Sequence, residues 1–210
     1  SVADKENISK VYIAAKTGGT AYYETIILPN GVSIYGGYDE DFTEQNITTN
    51  KTRIQSTGNY TFSIKDVTAA AVVDGMYIDS PTMAGDEIIT VKVENSSNAV
   101  RILNCYIGES STVNEPTNSI GIKLSGSFIA INNNTIYANN AIDKSYAVYS
   151  TNASAPMLSS NTLIGRTAKA GWGVKNENGN ITLNNNNIIL AYNSIHAYGI
   201  SSNDGDALIT

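Results

Sequence analysis

The sequence predicts an all-β fold, a parallel β-helix whose coils each take about 26 residues. The first observation is a hexad with an apolar residue at each end, whose copies begin 29, 29, 27 and 25 residues apart. The copies cover 73–78, 102–107, 131–136, 158–163 and 183–188. The second is a small residue followed by a β-branched one, which recurs every 26 residues. These pairs are Gly121-Ile122, Ala147-Val148, Gly173-Val174 and Gly199-Ile200. Fixed periods of roughly 20 to 50 residues indicate stacked repeat units.

Each element of a coil follows from local patterning. Short alternating runs, such as Val32-Ser33-Ile34 and Ile129-Ala130-Ile131, place every second side chain on one face of a strand. Clusters of Asn, Ser and Gly between the runs indicate turns. Three short strands per coil then stack on the next coil at the usual spacing of about 4.8 Å. We expect one domain over 1–210, with less regular entry coils over 1–72 and regular coils over 73–210.

Two columns of side chains are predicted to run along the solenoid. The fourth hexad position holds Asn134, Asn161 and Asn186, and we expect an inward ladder because Asn accepts tight-turn conformations and amides one coil apart can hydrogen-bond. Cys105 holds the same position in an earlier coil and is expected to be a small buried residue. The second column is Tyr146, Trp172 and Tyr198, which we expect to stack inside or at a corner; a sugar platform is the alternative.

Composition excludes several function classes. The 210 residues are 15% charged with a net charge of −6, which argues against a nucleic-acid partner because phosphates attract clustered Lys and Arg. No apolar run approaches the roughly 18 residues that suggest a membrane span, so no membrane insertion is expected. A polar, uncharged, β-compatible composition suits an extracellular protein. The lone cysteine cannot build a disulfide framework.

Four segments carry a resemblance to a known family: Val11-Tyr12-Ile13-Ala14-Ala15, Tyr23-Glu24-Thr25-Ile26, Gly31-Val32-Ser33-Ile34-Tyr35-Gly36-Gly37-Tyr38 and Ile131-Asn132-Asn133-Asn134-Thr135-Ile136. The resemblance is to right-handed parallel β-helix (pectin-lyase-like) surface proteins of bacteria. It implies a right-handed, single-stranded helix and a location outside the cell or on the bacterial surface. Relatives usually begin with an amphipathic capping helix, for which 1–10 offers little apolar surface, and 207–209 reads as the start of a new coil. We therefore expect a fragment of a longer polypeptide.

Catalytic groups are not apparent in the sequence. The carboxylate clusters with a basic partner that pectate lyases use, and the paired Asp residues near Gly-His-Gly of polygalacturonases, have no counterpart here, so no catalytic residue is assigned. The Asp39, Asp41 and Glu44 carboxylates could bind Ca²⁺, the one cofactor considered, because Ca²⁺ takes several oxygen ligands. A solvated acidic loop is the alternative interpretation.

An outward strip offers the candidate binding residues. Lys123, Tyr149 and Lys175 lie three positions after the aromatic column, on the opposite parity. The Tyr149 ring could stack on a sugar face while the two ammonium groups bind carboxylates. A solvated face is again the alternative.

Three functions remain open at this point. The first is a non-catalytic bacterial cell-surface or secreted module, adhesin-like or structural, whose partner is a glycan or a host or cell-surface protein. The second is a polysaccharide lyase or glycoside hydrolase with its active groups in the long loops 109–119 or 39–49, or in coils outside this sequence. The third is a non-catalytic carbohydrate-binding module that uses the outward strip.

Overall fold

The computed structural model describes residues 8–82, 85–108, 115–138, 140–185 and 187–210 as a parallel β-solenoid. A 3-10 turn spans Thr17–Gly19. The strands are β1 (Lys10–Ala14), β2 (Tyr22–Tyr23), β3 (Ile26–Ile27), β4 (Ser33–Tyr38), β5 (Arg53–Gln55), β6 (Tyr60–Lys65), β7 (Ala71–Asp74), β8 (Tyr77–Ile78), β9 (Glu87–Glu94), β10 (Val100–Leu103), β11 (Tyr106–Ile107), β12 (Asn118–Ser125), β13 (Ala130–Asn132), β14 (Thr135–Ala138), β15 (Lys144–Thr151), β16 (Met157–Ser159), β17 (Thr162–Glu177), β18 (Ile181–Asn184), β19 (Ile188–Asn203) and β20 (Ala207–Ile209).

The strands form two parallel sheets that wind through about seven coils. Sheet A has the order β1-β4-β7-β10-β13-β16-β18-β20. Sheet B has two arms: the first arm contains β2, β5, β8, β11 and β14, and the second arm contains β3, β6, β9, β12 and β15. The long strands β17 and β19 run through both arms and join them. The predicted all-β parallel helix is confirmed.

The apolar ends of the hexads are the core of the solenoid. In sheet A, Ile102 pairs with Val73 on one side and Ile131 on the other, and all three are buried. In the first arm, Ile107 pairs with Ile78 and Ile136 in the same manner. Burying such aliphatic side chains contributes about 1.5–3 kcal/mol each, which makes the hexads the main source of stability.

The last hexad departs from the predicted spacing. Ile188 was expected in the core, but it pairs with Thr162 and is 56% exposed. Ile189 pairs with Leu163 instead and packs against the core. The turn after β18 therefore contains one residue more than the turn after β16. Because side chains alternate between the two faces of a strand, this extra residue puts Ile189 instead of Ile188 on the core face.

The inward amide ladder exists, with a different third member. The backbone N–H of Cys105 donates to Asn134 Oδ1 at 2.8 Å, and the backbone N–H of Asn134 donates to Asn161 Oδ1 at 3.0 Å. The backbone N–H of Asn161 then donates to Asn187 Oδ1 at 3.0 Å. Asn186, the predicted member, lies outside the described residues. Each amide Nδ2 also donates to backbone carbonyls, so these buried groups are satisfied.

A second ladder runs along the turn from the second arm back to sheet A. Ser127 Oγ accepts a hydrogen bond from the Ser96 backbone N–H at 3.2 Å, and Ser154 Oγ accepts one from the Ser127 backbone N–H at 3.1 Å. Each hydroxyl donates to a carbonyl of its own coil, as Ser127 does to Ser125 at 3.0 Å. The sequence did not predict this ladder, because Ser is also found in many other turns and strands of the chain.

Cys105 is buried between the core strands, and burial raises the pKa of its thiol to about 12. The thiol donates weakly to the Leu103 carbonyl at 3.0 Å, so it fills the first position of the amide ladder. Among the described residues, no helix is long and apolar enough to cross a membrane.

Candidate functional site

A cleft of about 690 Å³ lies on the outer face of the second arm. It crosses four coils, from β6 through β9 and β12 to the end of β15. Tyr60 and Ile89, which are paired neighbours, provide its apolar surface. Amides and hydroxyls at strand ends and in the adjoining turns provide part of its polar surface: Asn59, Ser125, Thr151 and Asn152.

The shape of this face follows from a bend in each strand of the second arm. In β12, Ile122 and Leu124 belong to the main core, whereas Ile120 belongs to a separate apolar cluster. The alternation breaks at Gly121, where the two arms of sheet B approach closely. A Cβ on Gly121 would lie 2.7 Å from Ile136 Cγ2 of the first arm, closer than real contacts allow. The small residue that recurs at this position therefore marks the bend. The side chain before it joins the separate outer cluster instead of the main core.

Four of the five charged groups that line the cleft form two ion pairs, and Asp86 is in neither pair. Lys123 Nζ lies 2.7 Å from Glu87 Oε1, and Lys92 Nζ lies 3.0 Å from Glu94 Oε2. Lys92 also lies over the Tyr60 ring, 5.9 Å from its centroid. Such partly exposed pairs contribute about 0–1 kcal/mol to stability, so their main effect is to balance the charge of the cleft.

The predicted strip of Lys123, Tyr149 and Lys175 occupies one register position in three successive coils. Lys123 lines the cleft, and its ammonium lies 5.9 Å from the Tyr149 ring centroid. The Tyr149 hydroxyl donates to Glu177 Oε2 at 2.6 Å, and Lys175 Nζ lies 3.5 Å from Glu177 Oε1. Burial, followed by this hydrogen bond to Glu177, raises the pKa of Tyr149. Glycan binding by the strip stays a prediction.

The aromatic column forms a continuous stack outside the main core. Tyr146 and Trp172 have ring centroids 4.8 Å apart, and Trp172 and Tyr198 have centroids 5.1 Å apart, with interplanar angles of 18° and 15°. Tyr149 stacks on Tyr146 at 4.8 Å across the bend. Both faces of Trp172 are therefore covered by neighbouring rings, which favours a structural stack over a sugar platform. Burial, with Glu177 as the next cause, raises the pKa of Tyr146 to about 12.

The acidic loop after β4 folds around one of its own carboxylates. Asp39 accepts hydrogen bonds from the Thr43 backbone N–H at 2.7 Å and the Thr43 hydroxyl at 2.6 Å, and from the Glu44 backbone N–H at 3.1 Å. The hydroxyl bond is the largest cause of a lowered pKa of Asp39. Within the described ranges, no three His, Cys, Asp or Glu side chains converge into a metal-binding group. Ca²⁺ binding by Asp39, Asp41 and Glu44 stays a prediction.

Three carboxylates line the cleft: Asp86, Glu87 and Glu94. A hydrolase or lyase needs an acid and a base in different protonation states facing one substrate. Lys123 lies beside Glu87 and Lys92 lies beside Glu94, whereas Asp86 is in neither of these ion pairs. Of the loops considered for catalytic groups, 109–114 lies outside the described residues, and 39–49 forms the acidic loop around Asp39.

Comparison of the chain with models of protein families, with curated proteins and with solved structures found no match.

Proposed function

We propose that this protein is a non-catalytic, adhesin-like module of a bacterial cell-surface or secreted protein, and that it binds a carbohydrate chain in the cleft of the second arm. The observation that carries the proposal is the cleft itself, a groove of about 690 Å³ across four rigid coils. This volume falls within the roughly 300–1,000 Å³ of small-molecule sites. The proposal includes the right-handed, pectin-lyase-like identity that the sequence resemblance implies.

The lining of the cleft supports a hydroxyl-rich ligand. Tyr60 and Ile89 offer an apolar surface for the C–H face of a sugar ring. Asn59 and Asn152 offer amide donors and acceptors, and Ser125 and Thr151 offer hydroxyls. Because Lys92 and Lys123 are paired with Glu94 and Glu87, a ligand with few charges fits the cleft better than a polyanion.

The cleft is also rigid, which favours binding. Its strands are central members of a parallel sheet, and the bend that shapes it is fixed by the close approach of Gly121 to the first arm. A preformed site loses little conformational entropy when a ligand binds. The alternative, a polysaccharide lyase or glycoside hydrolase, requires a carboxylate free of a cationic partner, and Asp86 is the carboxylate of the cleft outside the two ion pairs.

A glycan-array screen with the purified protein, with and without Ca²⁺, tests the proposal. Hits are then titrated calorimetrically and assayed for new reducing ends or unsaturated uronate. We expect binding without cleavage, and a loss of about tenfold or more in affinity for Tyr60→Ala. The control is Tyr23→Ala, which removes a 71% exposed tyrosine outside the cleft. Cleavage of a bound glycan would establish the enzyme alternative, and the absence of any hit would leave a structural module.

A further inference from the structure

Four aromatic rings form a surface cluster on sheet A, away from the cleft of the second arm. We define the aromatic patch as Tyr12 on β1, Tyr35 and Tyr38 on β4, and Phe42 in the turn that follows. Tyr12 stacks on Tyr35 with ring centroids 5.4 Å apart, and it meets Tyr38 edge to face at 5.4 Å. The Tyr38 and Phe42 centroids are 6.1 Å apart. The rings therefore form one continuous surface.

The patch is exposed although burial would stabilise it. Tyr12 is 47% exposed and Phe42 is 51% exposed. Aromatic side chains contribute most when they are removed from water, and a contiguous exposed apolar surface usually indicates an interaction site. Tyr12 and Phe42 are therefore available to a partner, and Tyr35 and Tyr38, which are half-buried, extend the same surface.

The backbone of Phe42 holds its ring on this surface at an energetic cost. Its φ angle of +58° lies in the left-handed region, which is a true outlier for a bulky residue. Its backbone N–H donates to the Asp39 carbonyl at 3.2 Å, which closes the turn. Strained residues of this kind cluster at functional sites, where the surrounding structure maintains them.

The border of the patch is acidic. The turn that carries Phe42 contains Asp39, Glu40, Asp41 and Glu44, and the last three are exposed. The hydrogen bonds from Thr43 lower the pKa of Asp39 and so favour its charged form. Lys16 and Lys51 line a pocket together with Asp39 and Glu40, whereas Asp41 and Glu44 are in none of the ion pairs of the described residues. The negative charge of Asp41 and Glu44 beside exposed rings fits a cationic partner.

Elsewhere in the solenoid, tyrosine rings already have an intramolecular cation over them. The five pairs are Lys16 with Tyr22, Lys51 with Tyr77, Lys92 with Tyr60, Lys123 with Tyr149 and Arg166 with Tyr137. Over the part of the chain that the structure describes, no such cation lies over Tyr12, Tyr35 or Tyr38. The patch thus combines partly open ring faces with an acidic border and lacks the cation that five of the ten other tyrosines have.

We propose that the aromatic patch binds Lys and Arg side chains of an extended basic segment of a partner protein. The cations lie over the tyrosine and phenylalanine rings, and the carboxylates of the turn around Phe42 balance their charge. Tyr and Arg are the residues most enriched at the energetic centres of protein interfaces, which suits this pairing. The site is separate from the carbohydrate cleft, so the two activities stand or fall independently.

Fluorescence anisotropy with a labelled peptide of alternating glycine and arginine tests the proposal on the intact chain. We expect saturable binding, with Tyr12→Leu and Phe42→Gly each weakening it by roughly fivefold, because leucine keeps apolar area but loses the ring quadrupole. Glycine suits the left-handed conformation at position 42, so this variant removes the ring without straining the fold. A peptide of alternating glycine and glutamate should not bind.

Two further variants separate the patch from general acidity. Tyr23→Leu is the matched control because Tyr23 is 71% exposed but lies on sheet B, and its affinity should equal that of the native protein. Asp41→Asn, at an exposed position, should weaken binding roughly twofold, and the effect should disappear when salt is raised to about 1 M. Equal weakening by Tyr23→Leu, unchanged binding by both patch variants, or no binding of the basic peptide would overturn the proposal. The cleft variant Tyr60→Ala should leave peptide binding unchanged, which distinguishes failure here from failure of the carbohydrate site.

Discussion

Replacing the central amide of the inward ladder should destabilise the protein although the substitution adds apolar surface. Asn134 is 2% exposed, and Asn134→Leu removes one acceptor and one donor group at nearly constant volume. Its Oδ1 accepts from the Cys105 backbone N–H, and its Nδ2 donates to the Ile102 and Asn132 carbonyls, both at 3.0 Å. The substitution therefore leaves backbone groups of two coils without their side-chain partner.

The magnitude follows from opposing contributions. A buried N–H without an acceptor costs about 1–3 kcal/mol, and each weakened carbonyl bond costs about 0.5–1.5 kcal/mol. Burial of the leucine side chain recovers about 1.5–3 kcal/mol. The expected net loss in the free energy of unfolding is about 2 kcal/mol, which lowers the Tm of a chain of this length by about 4–8 °C.

Urea denaturation followed by the fluorescence of Trp172, the one tryptophan, measures this loss. The matched control is Asn132→Leu, the same chemical change two residues earlier on β13, where Asn132 is half-buried and its buried Oδ1 has no hydrogen-bond partner in the described structure. Because that variant loses no hydrogen bond to Oδ1, its free energy of unfolding should be no more than about 0.5 kcal/mol below that of the native protein. If Asn134→Leu were as stable as the control, leucine burial would outweigh the ladder bonds and the reasoning would be wrong.

Two more predictions concern the core. Gly121→Ala should lower the free energy of unfolding by about 1–3 kcal/mol, because the new Cβ would lie 2.6 Å from Ala147 O and 2.7 Å from Ile136 Cγ2. Gly199→Ala should be neutral, because a Cβ there would have nothing within 4 Å. Equal thermal shifts of the two variants would contradict this prediction. The Cys105 thiol keeps its proton to about pH 12 in the folded state but loses it near pH 9 in the unfolded state. The protonated thiol therefore contributes stability that is fully present below pH 9 and is lost as the pH rises toward 12. The unfolding free energy of the native protein should fall about 1.4 kcal/mol per pH unit more steeply than that of Cys105→Ala between these limits, and parallel profiles would exclude the effect.

The sequence predicted what depends on local repetition. The hexads define the core, and the shared register of Lys123, Tyr149 and Lys175 follows from the 26-residue spacing. Asn187 was missed because 184–187 is a run of four asparagines, and a one-residue change in turn length leaves no mark in such a run.

Features that depend on contacts between arms were not visible. Gly121 fits an ordinary strand equally well, and only its approach to Ile136 shows that the strand bends and that Tyr146 faces outward. The cleft was missed for the same reason, because its lining comes from four coils and from turns with no common spacing. The aromatic patch was missed because Phe42 reaches the ring cluster of Tyr12 only when its backbone adopts a left-handed conformation. Sequence preferences disfavour that conformation for a phenylalanine.

The extra residue before Asn187 has a consequence for how such chains change over evolution. The ladder bond is made by the last asparagine of the turn, directly before the strand resumes, as Asn161 precedes Thr162 and Asn187 precedes Ile188. Insertions ahead of that asparagine alter the length of a coil but not the hydrogen bond that joins it to the coil below. An alignment of coils should accordingly be anchored at the residue before each first-arm strand. The number of residues between a strand of sheet A and the next first-arm strand can then vary from coil to coil, while the strands of sheet B, which carries the cleft, stay in register.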